Sequence, residues 1–188
     1  MTRFIRKIRS AGLFLAFIFL GSLIAAKLDD VGTLSIGGPF ATIDGDTLAA
    51  GIERLRLEGI DAPEIRQVCK DGEGREWSCG EEARVALERL IAAPGVECKA
   101  SERDRYERLL VRCRAGSQDI NAEMVRLGMA VSSGDYRSEE TAAREKRAGL
   151  WTGEFEKPRE WRIMHGMMDD SGMAEGFVAW LKGLFRSE

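Results

Sequence analysis

The sequence predicts an α+β fold, mainly β, in which five short strands form a small closed barrel with three helices around it. Two observations carry that prediction. Five short runs with apolar alternation or apolar content, at residues 41–43, 48–52, 54–57, 96–101 and 109–114, are separated by turn signals such as Asp44-Gly45 and Gly51. Three other stretches place apolar residues at helical spacing between recognisable start and stop residues. The 188 residues suit one domain with terminal extensions.

The N-terminus comes first. Arg3, Arg6, Lys7 and Arg9 precede an apolar run from Ala11 to Ala26, the layout of an export signal. A spanning helix needs about 20 apolar residues, so the run is slightly short. Two readings stay open for residues 1–26, a cleaved signal peptide or an uncleaved membrane anchor formed by residues 11–26. Both export the chain, to the periplasm or beyond, and the second holds it in the inner membrane. Residues 27–39, with Gly32, Gly37, Gly38 and Pro39, read as a linker into the first strand.

Within the domain, Leu55 and Leu57 alternate with Arg54, Arg56 and Glu58, so a strand turns the leucines inward and Arg56 outward. Cys69 to Gly80 reads as a polar loop. Ser78 followed by Glu81 has the form of a capping box, and Ala83, Leu87, Leu90 and Ile91 share one helical face until Pro94-Gly95. Asp119 caps a second helix bearing Ile120, Met124 and Leu127, ended by Gly128. A third starts at Ser138, with Glu139 and Glu140 in its first turn and Arg144 to Arg147 near its end, in accord with the helix dipole. The expected domain covers residues 40–162. In the remaining tail, 163–188, an amphipathic helix spans Met173 to Phe185. Packing on its own domain or weak order is its ordinary reading, and a membrane-surface or partner-binding helix the sharper one.

Composition narrows the function. Cys69, Cys79, Cys98 and Cys113 are even in number, suit an oxidising compartment, and include no C-x-x-C pair. Disulfides are preferred to a metal site or free thiols, with Cys69–Cys79 pinning a loop and Cys98–Cys113 joining neighbouring strands. The formal net charge is −3, and without residues 1–26, which carry four basic and no acidic residues, it is −7. Such a domain is no general nucleic-acid sponge. Contact with nucleic acid must be local.

The chemistry concentrates between Asp44 and Glu64. Asp46 and Asp61 end two strands and flank Arg56, and folding the segment as a hairpin brings both carboxylates to one end, beside Glu64. That supplies oxygen ligands for a hard cation and a guanidinium for a phosphate. A second basic cluster, Asp104-Arg105-Tyr106-Glu107-Arg108, precedes the strand from Leu109. Carboxylates for a cation and two separated arginines are what phosphodiester cleavage requires, because negative charge grows on the phosphate as water attacks.

In Asp44-Gly45-Asp46-Thr47, Arg56-Leu57, Gly59-Ile60-Asp61-Ala62-Pro63-Glu64, Asp104-Arg105-Tyr106-x-Arg108, Asn121 to Gly128 and Gly149-Leu150-Trp151, the chain resembles the staphylococcal nuclease (thermonuclease) family over about residues 40–162. The resemblance implies a five-stranded OB-fold barrel with three helices. It implies Ca2+ held by Asp46, Asp61 and the backbone carbonyl of Ala62. Glu64 would position or deprotonate the attacking water, and Arg56 and Arg108 would hold the phosphate, Arg108 also assisting the leaving oxygen. Tyr106 and Tyr136 match positions for aromatic or phosphate-contacting groups, against a core or rim role for each. Arg105 meets the substrate backbone or is simply solvated. Two departures stand out: Glu107 where the family often has glycine, and Gly134 where a second tyrosine is expected.

The implied activity is an exported, calcium-dependent nuclease, a hydrolase acting as a monomer on single-stranded DNA or RNA with little sequence preference. Two alternatives stand beside it: a non-catalytic OB-fold binding module, and a cell-envelope accessory protein. The first would be expected to have lost charged site residues, and Asp46, Arg56, Asp61, Glu64 and Arg108 are all present.

Overall fold

The computed structural model describes residues 17–22 and 34–166. The export or anchor segment lies mostly outside them, and only 17–22 is described, as helix. Among the described residues no helix is long and apolar enough to cross a membrane. The amphipathic helix expected over Met173 to Phe185 lies wholly outside the described residues.

The architecture is mixed α+β, a curled sheet with helices, and it fits the OB fold. The strands are β1 (Leu34–Gly37), β2 (Ala41–Thr42), β3 (Thr47–Ala50), β4 (Glu53–Leu57), β5 (Ile60–Asp61), β6 (Cys69–Lys70), β7 (Glu76–Trp77), β8 (Val96–Arg103), β9 (Leu109–Ala115), β10 (Gln118–Asp119) and β11 (Val131–Ser132). The helices are α1 (Cys79–Ile91), α2 (Ile120–Arg126), α3 (Arg137–Glu145) and α4 (Pro158–Met164), with a 3₁₀ turn at Gly149–Thr152. The main sheet runs β1-β8-β9-β4-β3-β2, with β10 on β9. β1 and β2 are successive parts of one stretch, pairing with β8 and β3 respectively, so both ends of the sheet path lie on one continuous segment and the sheet curls round as an OB fold requires, while β5–β11 and β6–β7 form separate ribbons.

Each ladder follows from its sequence. Leu55 and Leu57 point into the core from β4, as alternation requires. In β8, Val96, Cys98 and Ala100 face in, and in β9 Leu109, Val111 and Cys113 face them while Arg112 is turned out. Cys98 lies opposite Cys113 in the β8–β9 register and is bonded to it. Cys69 and Cys79 form the second disulfide, tying β6 to the first residue of α1. Closing a 15-residue loop, as Cys98–Cys113 does, stabilises a fold by about 3 kcal/mol in the chain-entropy account.

Five details differ from expectation. Leu34–Gly37, read as linker, pairs with β8, because its Leu-Ser-Ile-Gly alternation completes an otherwise bare edge. The Cys69-to-Gly80 loop contains the β6–β7 ribbon. Ser78 makes no side-chain cap, and Glu81 bonds Arg84 instead. α3 begins one residue early, at Arg137. α4 is an additional helix, whose Pro158 at its first turn and buried Trp161 seat it on the domain.

α2 behaves as its sequence indicates. The Asp119 carboxylate accepts from the Ala122 amide at 3.0 Å, and the chain turns at Gly128 with φ +68°, where a Cβ would sit 2.0 Å from the Ala148 carbonyl oxygen. Buried Asn121 accepts from the Cys113 amide at 3.1 Å and donates to the Glu58 and Val111 carbonyls at 2.9 and 3.0 Å. A satisfied buried amide of this kind fixes α2 to the end of β4.

Candidate active site

Three ladders bring the predicted residues to one rim. Antiparallel pairing of β3 with β4 sets Thr47 opposite Arg56, and the Leu57 amide donates to the Asp46 carbonyl at 2.8 Å. Parallel pairing of β4 with β9 sets Leu55 opposite Leu109, so Arg108, one residue earlier, falls beside Arg54, in the same outward row as Arg56 on the cleft. The β5–β11 ribbon buries Ile60 and presents Asp61. The Glu64 turn is packed tightly against α1: a Cβ on Gly80 would lie 1.8 Å from the Glu64 carbonyl oxygen. Any larger residue at 80 displaces that turn.

At the centre Arg56 spans the two aspartates, donating from Nη1 to Asp46 Oδ1 and from Nη2 to Asp61 Oδ1, the latter at 2.9 Å. Asp46 is 2% exposed and its other oxygen accepts from the Ala62 amide at 2.8 Å. Burial pushes the Asp46 carboxyl up to about 7, against the pull of Arg56, with Asp44 and Asp61 adding to the rise. Ala62 is buried, and the contact seen between it and Asp46 runs through its amide.

Arg108 is held by Asp104, whose carboxylate accepts from Arg108 Nε at 2.8 Å and Nη2 at 2.7 Å, and from the amides of Tyr106 and Arg108. Burial opposes ionisation of Asp104, but Arg108 and those amides outweigh it and hold the carboxyl below its ordinary value. Tyr106 is half exposed, with the guanidinium carbons of Arg105 and Arg108 at 4.8 and 5.4 Å from its ring centroid. These residues open on a cleft of about 390 Å³ lined by Asp44, Arg54, Arg56, Glu64, Arg105, Tyr106, Arg108 and Arg162. Five guanidiniums against two carboxylates make it basic on an otherwise acidic chain, a local focus for a phosphodiester.

Arg162, Asp104 and buried Gln67 were not among the predicted site residues. Arg162 reaches from α4 to Asp61 and Glu64. Gln67 accepts from the Glu64 amide at 3.3 Å and donates to the Glu156 carbonyl at 2.6 Å. The Asp104 signal was available, since Asp-x-Tyr-x-Arg is the form of an Asx turn closing on its own arginine. Nothing local in the sequence marks the other two.

Two singled-out residues fall outside the cleft. Tyr136 is 7% exposed, belongs to the main core and does not line the cleft. Burial pushes its hydroxyl up to about 12, and among the described residues that hydroxyl has no hydrogen-bond partner. A buried hydroxyl without a partner costs stability, so Tyr136→Phe is expected to leave kcat unchanged and the melting temperature equal or higher. A substrate role would lower kcat or raise KM. Glu107 takes φ +61°, the left-handed conformation that favours glycine and costs another residue about 1 kcal/mol. Its side chain is exposed and does not line the cleft.

Comparison with known families matches residues 54–153 to the staphylococcal nuclease homologue family. The chain belongs to that family. It is 36% identical over 147 residues to the succinoglycan biosynthesis protein ExoI of Rhizobium meliloti, covering 73% of this chain and 77% of that one. It is 30% identical over 131 residues to an uncharacterized endonuclease of Haemophilus influenzae (63% and 68% covered). It is 31% identical over 145 residues to the probable endonuclease LCL3 of Colletotrichum graminicola (67% and 51%). Nuclease-named relatives support hydrolase activity of the endonuclease kind, and the family implies a nucleic-acid substrate.

The family also implies calcium. Among the described residues no group of three or more His, Cys, Asp or Glu side chains stands ready to hold a metal, so an ion here needs backbone or water oxygens beside Asp46 and Asp61. The donor chemistry fits. Both are hard oxygen donors converging on one guanidinium, and a cation would relieve the burial that opposes ionisation of Asp46.

Proposed function

We propose that this protein is an exported, monomeric, calcium-dependent endonuclease that hydrolyses single-stranded DNA or RNA with little sequence preference. The observation that supports it most is the juxtaposition of Arg56, Glu64 and Arg108 on one basic cleft, with Asp46 and Asp61 behind Arg56.

Asp46, Asp61 and the carbonyl of Ala62 would hold the calcium, which would supply positive charge to the scissile phosphate. Arg56 and Arg108 enter from β4 and from the turn before β9, and their guanidiniums bind the phosphate oxygens and meet the charge that grows during attack. Glu64 accepts the proton of the water that it orients. Arg108 would also assist the leaving oxygen. Because a carboxylate is a weak base at neutral pH, the arginines and the cation carry most of the activation. Tyr106 offers a stacking face for a base at the rim, and Arg105 lies beside it for the substrate backbone. The signal or anchor at residues 1–26 delivers the enzyme to the envelope or beyond, where both disulfides persist.

The test is cleavage of single-stranded DNA by the oxidised protein with calcium and with EGTA, beside a Glu64→Gln, Arg108→Ala double variant. Cutting is expected only with calcium, and not by the variant. A folded, calcium-loaded protein that leaves DNA and RNA intact overturns the reading and favours a binding module.

A further inference from the structure

We propose that Arg162 is a positioning residue of this active site: it holds Asp61 and Glu64 side by side and competes with a divalent cation for Asp61. The proposal rests on the nuclease reading for the role of Glu64, but not for the competition. Arg162 Nη1 donates to Asp61 Oδ1 at 3.0 Å and to Glu64 Oε1 at 2.9 Å, and Nη2 donates to Asp61 Oδ2 at 3.1 Å. One planar group thereby ties a proposed metal ligand to the proposed base, a task for which a guanidinium's fixed fork is suited. Its side chain is only 20% exposed, so these bonds are poorly replaced by water.

The segment that carries Arg162 is itself anchored to the base-bearing turn. Lys70 and Glu154 exchange backbone hydrogen bonds at 2.8 and 3.1 Å, joining the chain before α4 to β6. Gln67, fully buried, binds the Glu64 amide with one end and the Glu156 carbonyl with the other. Trp161 is buried and stacks on His165 at 4.0 Å between ring centroids. α4 therefore approaches Glu64 along a path of backbone and buried side-chain contacts, and Arg162 is its one basic group on the site cleft.

The competition follows from how the guanidiniums occupy Asp61. Asp61 Oδ1 already accepts from Arg56 and from Arg162, and Oδ2 accepts from Arg162. A cation that takes Asp61 through both oxygens, or that closes on Oδ2, meets Arg162, the guanidinium that occupies both. Arg56 donates to Oδ1 alone, so Arg162 is the one to yield. Released from Asp61, it keeps Glu64 as its partner and stays beside the water that Glu64 orients.

The experiment titrates calcium into the full-length protein and into Arg162→Ala, Arg162→Met and Arg162→Lys by calorimetry without nucleic acid, with kcat, KM and melting temperature measured on each. Two binders sharing one site are negatively coupled, typically by about fivefold or more. The calcium Kd is accordingly expected to fall by that factor in Arg162→Ala and Arg162→Met. Misplacing a catalytic group slightly costs up to about 100-fold, so kcat is expected to fall in both, well beyond any rise in KM. Arg162→Lys should lie between, since an ammonium keeps the charge but gathers its donors on one nitrogen and lacks the planar fork that spans the two carboxylates. A merely structural arginine would weaken calcium binding or leave it unchanged when removed, and either result overturns the proposal. So does a protein, wild type and variants alike, that binds no calcium. If Arg162→Ala loses its fold, the longer Met and Lys side chains decide. Failure of the wild type to cleave nucleic acid would sink the nuclease reading, while the calorimetric shift would still decide the competition.

Discussion

Replacing Arg56 with lysine is expected to lower turnover on single-stranded DNA by about 100- to 1,000-fold, the cost of one lost transition-state donor, while the fold survives. Arg56 sends its two Nη groups to different aspartates, and a phosphate must share the same planar fork. An ammonium offers no such plane and cannot reach both carboxylates and a substrate oxygen. Lysine rather than alanine is the informative change. Asp46 is 2% exposed, and stripping a buried carboxylate of its cation costs about 3–5 kcal/mol, enough to confuse catalysis with unfolding. The check is kcat beside the melting temperature. Unchanged turnover in a folded Arg56→Lys variant would contradict the phosphate-clamp role.

What the sequence showed of the site depended on distance along the chain. Asp46, Arg56, Asp61 and Glu64 are joined by a hairpin and short turns, so alternation and spacing suffice to place them together. Arg108 needs one long-range fact, the parallel pairing of β4 with β9, and entered through its motif. Arg162 meets Asp61 across 101 residues. No periodicity in Pro158–Met164 distinguishes it from Arg159, because only the seating of Trp161 decides which face of α4 looks inward. Tyr136 shows the converse failure: a tyrosine that stacks on bases and one that fills a core have the same local sequence, and burial separates them. The strands were legible where leucine or valine alternated with charge, as in β4, β8 and β9, and illegible where they were two residues long or glycine-rich, as in β6, β7 and β1.

Glu64→Gln separates a base from a ligand. The amide has nearly the same shape as the carboxylate and its oxygen can still accept from Arg162, so the contacts of the Glu64 turn with Gln67 and Gly80 are retained. What disappears is the capacity to take a proton from water, and positioned general bases contribute about 100- to 10,000-fold. The expected result is a fall in kcat of that order, with calcium Kd within a few-fold of wild type because Asp46 and Asp61 are untouched. The two quantities are read on one preparation, by single-turnover cleavage and by calorimetric titration. If calcium affinity collapses instead, Glu64 is a metal ligand, and the bond from Arg162 would then guard two ligands rather than a ligand and a base. The position of Glu64 beside Arg162 and beyond Asp61, rather than between the two aspartates that Arg56 bridges, is the geometric reason to expect the first outcome.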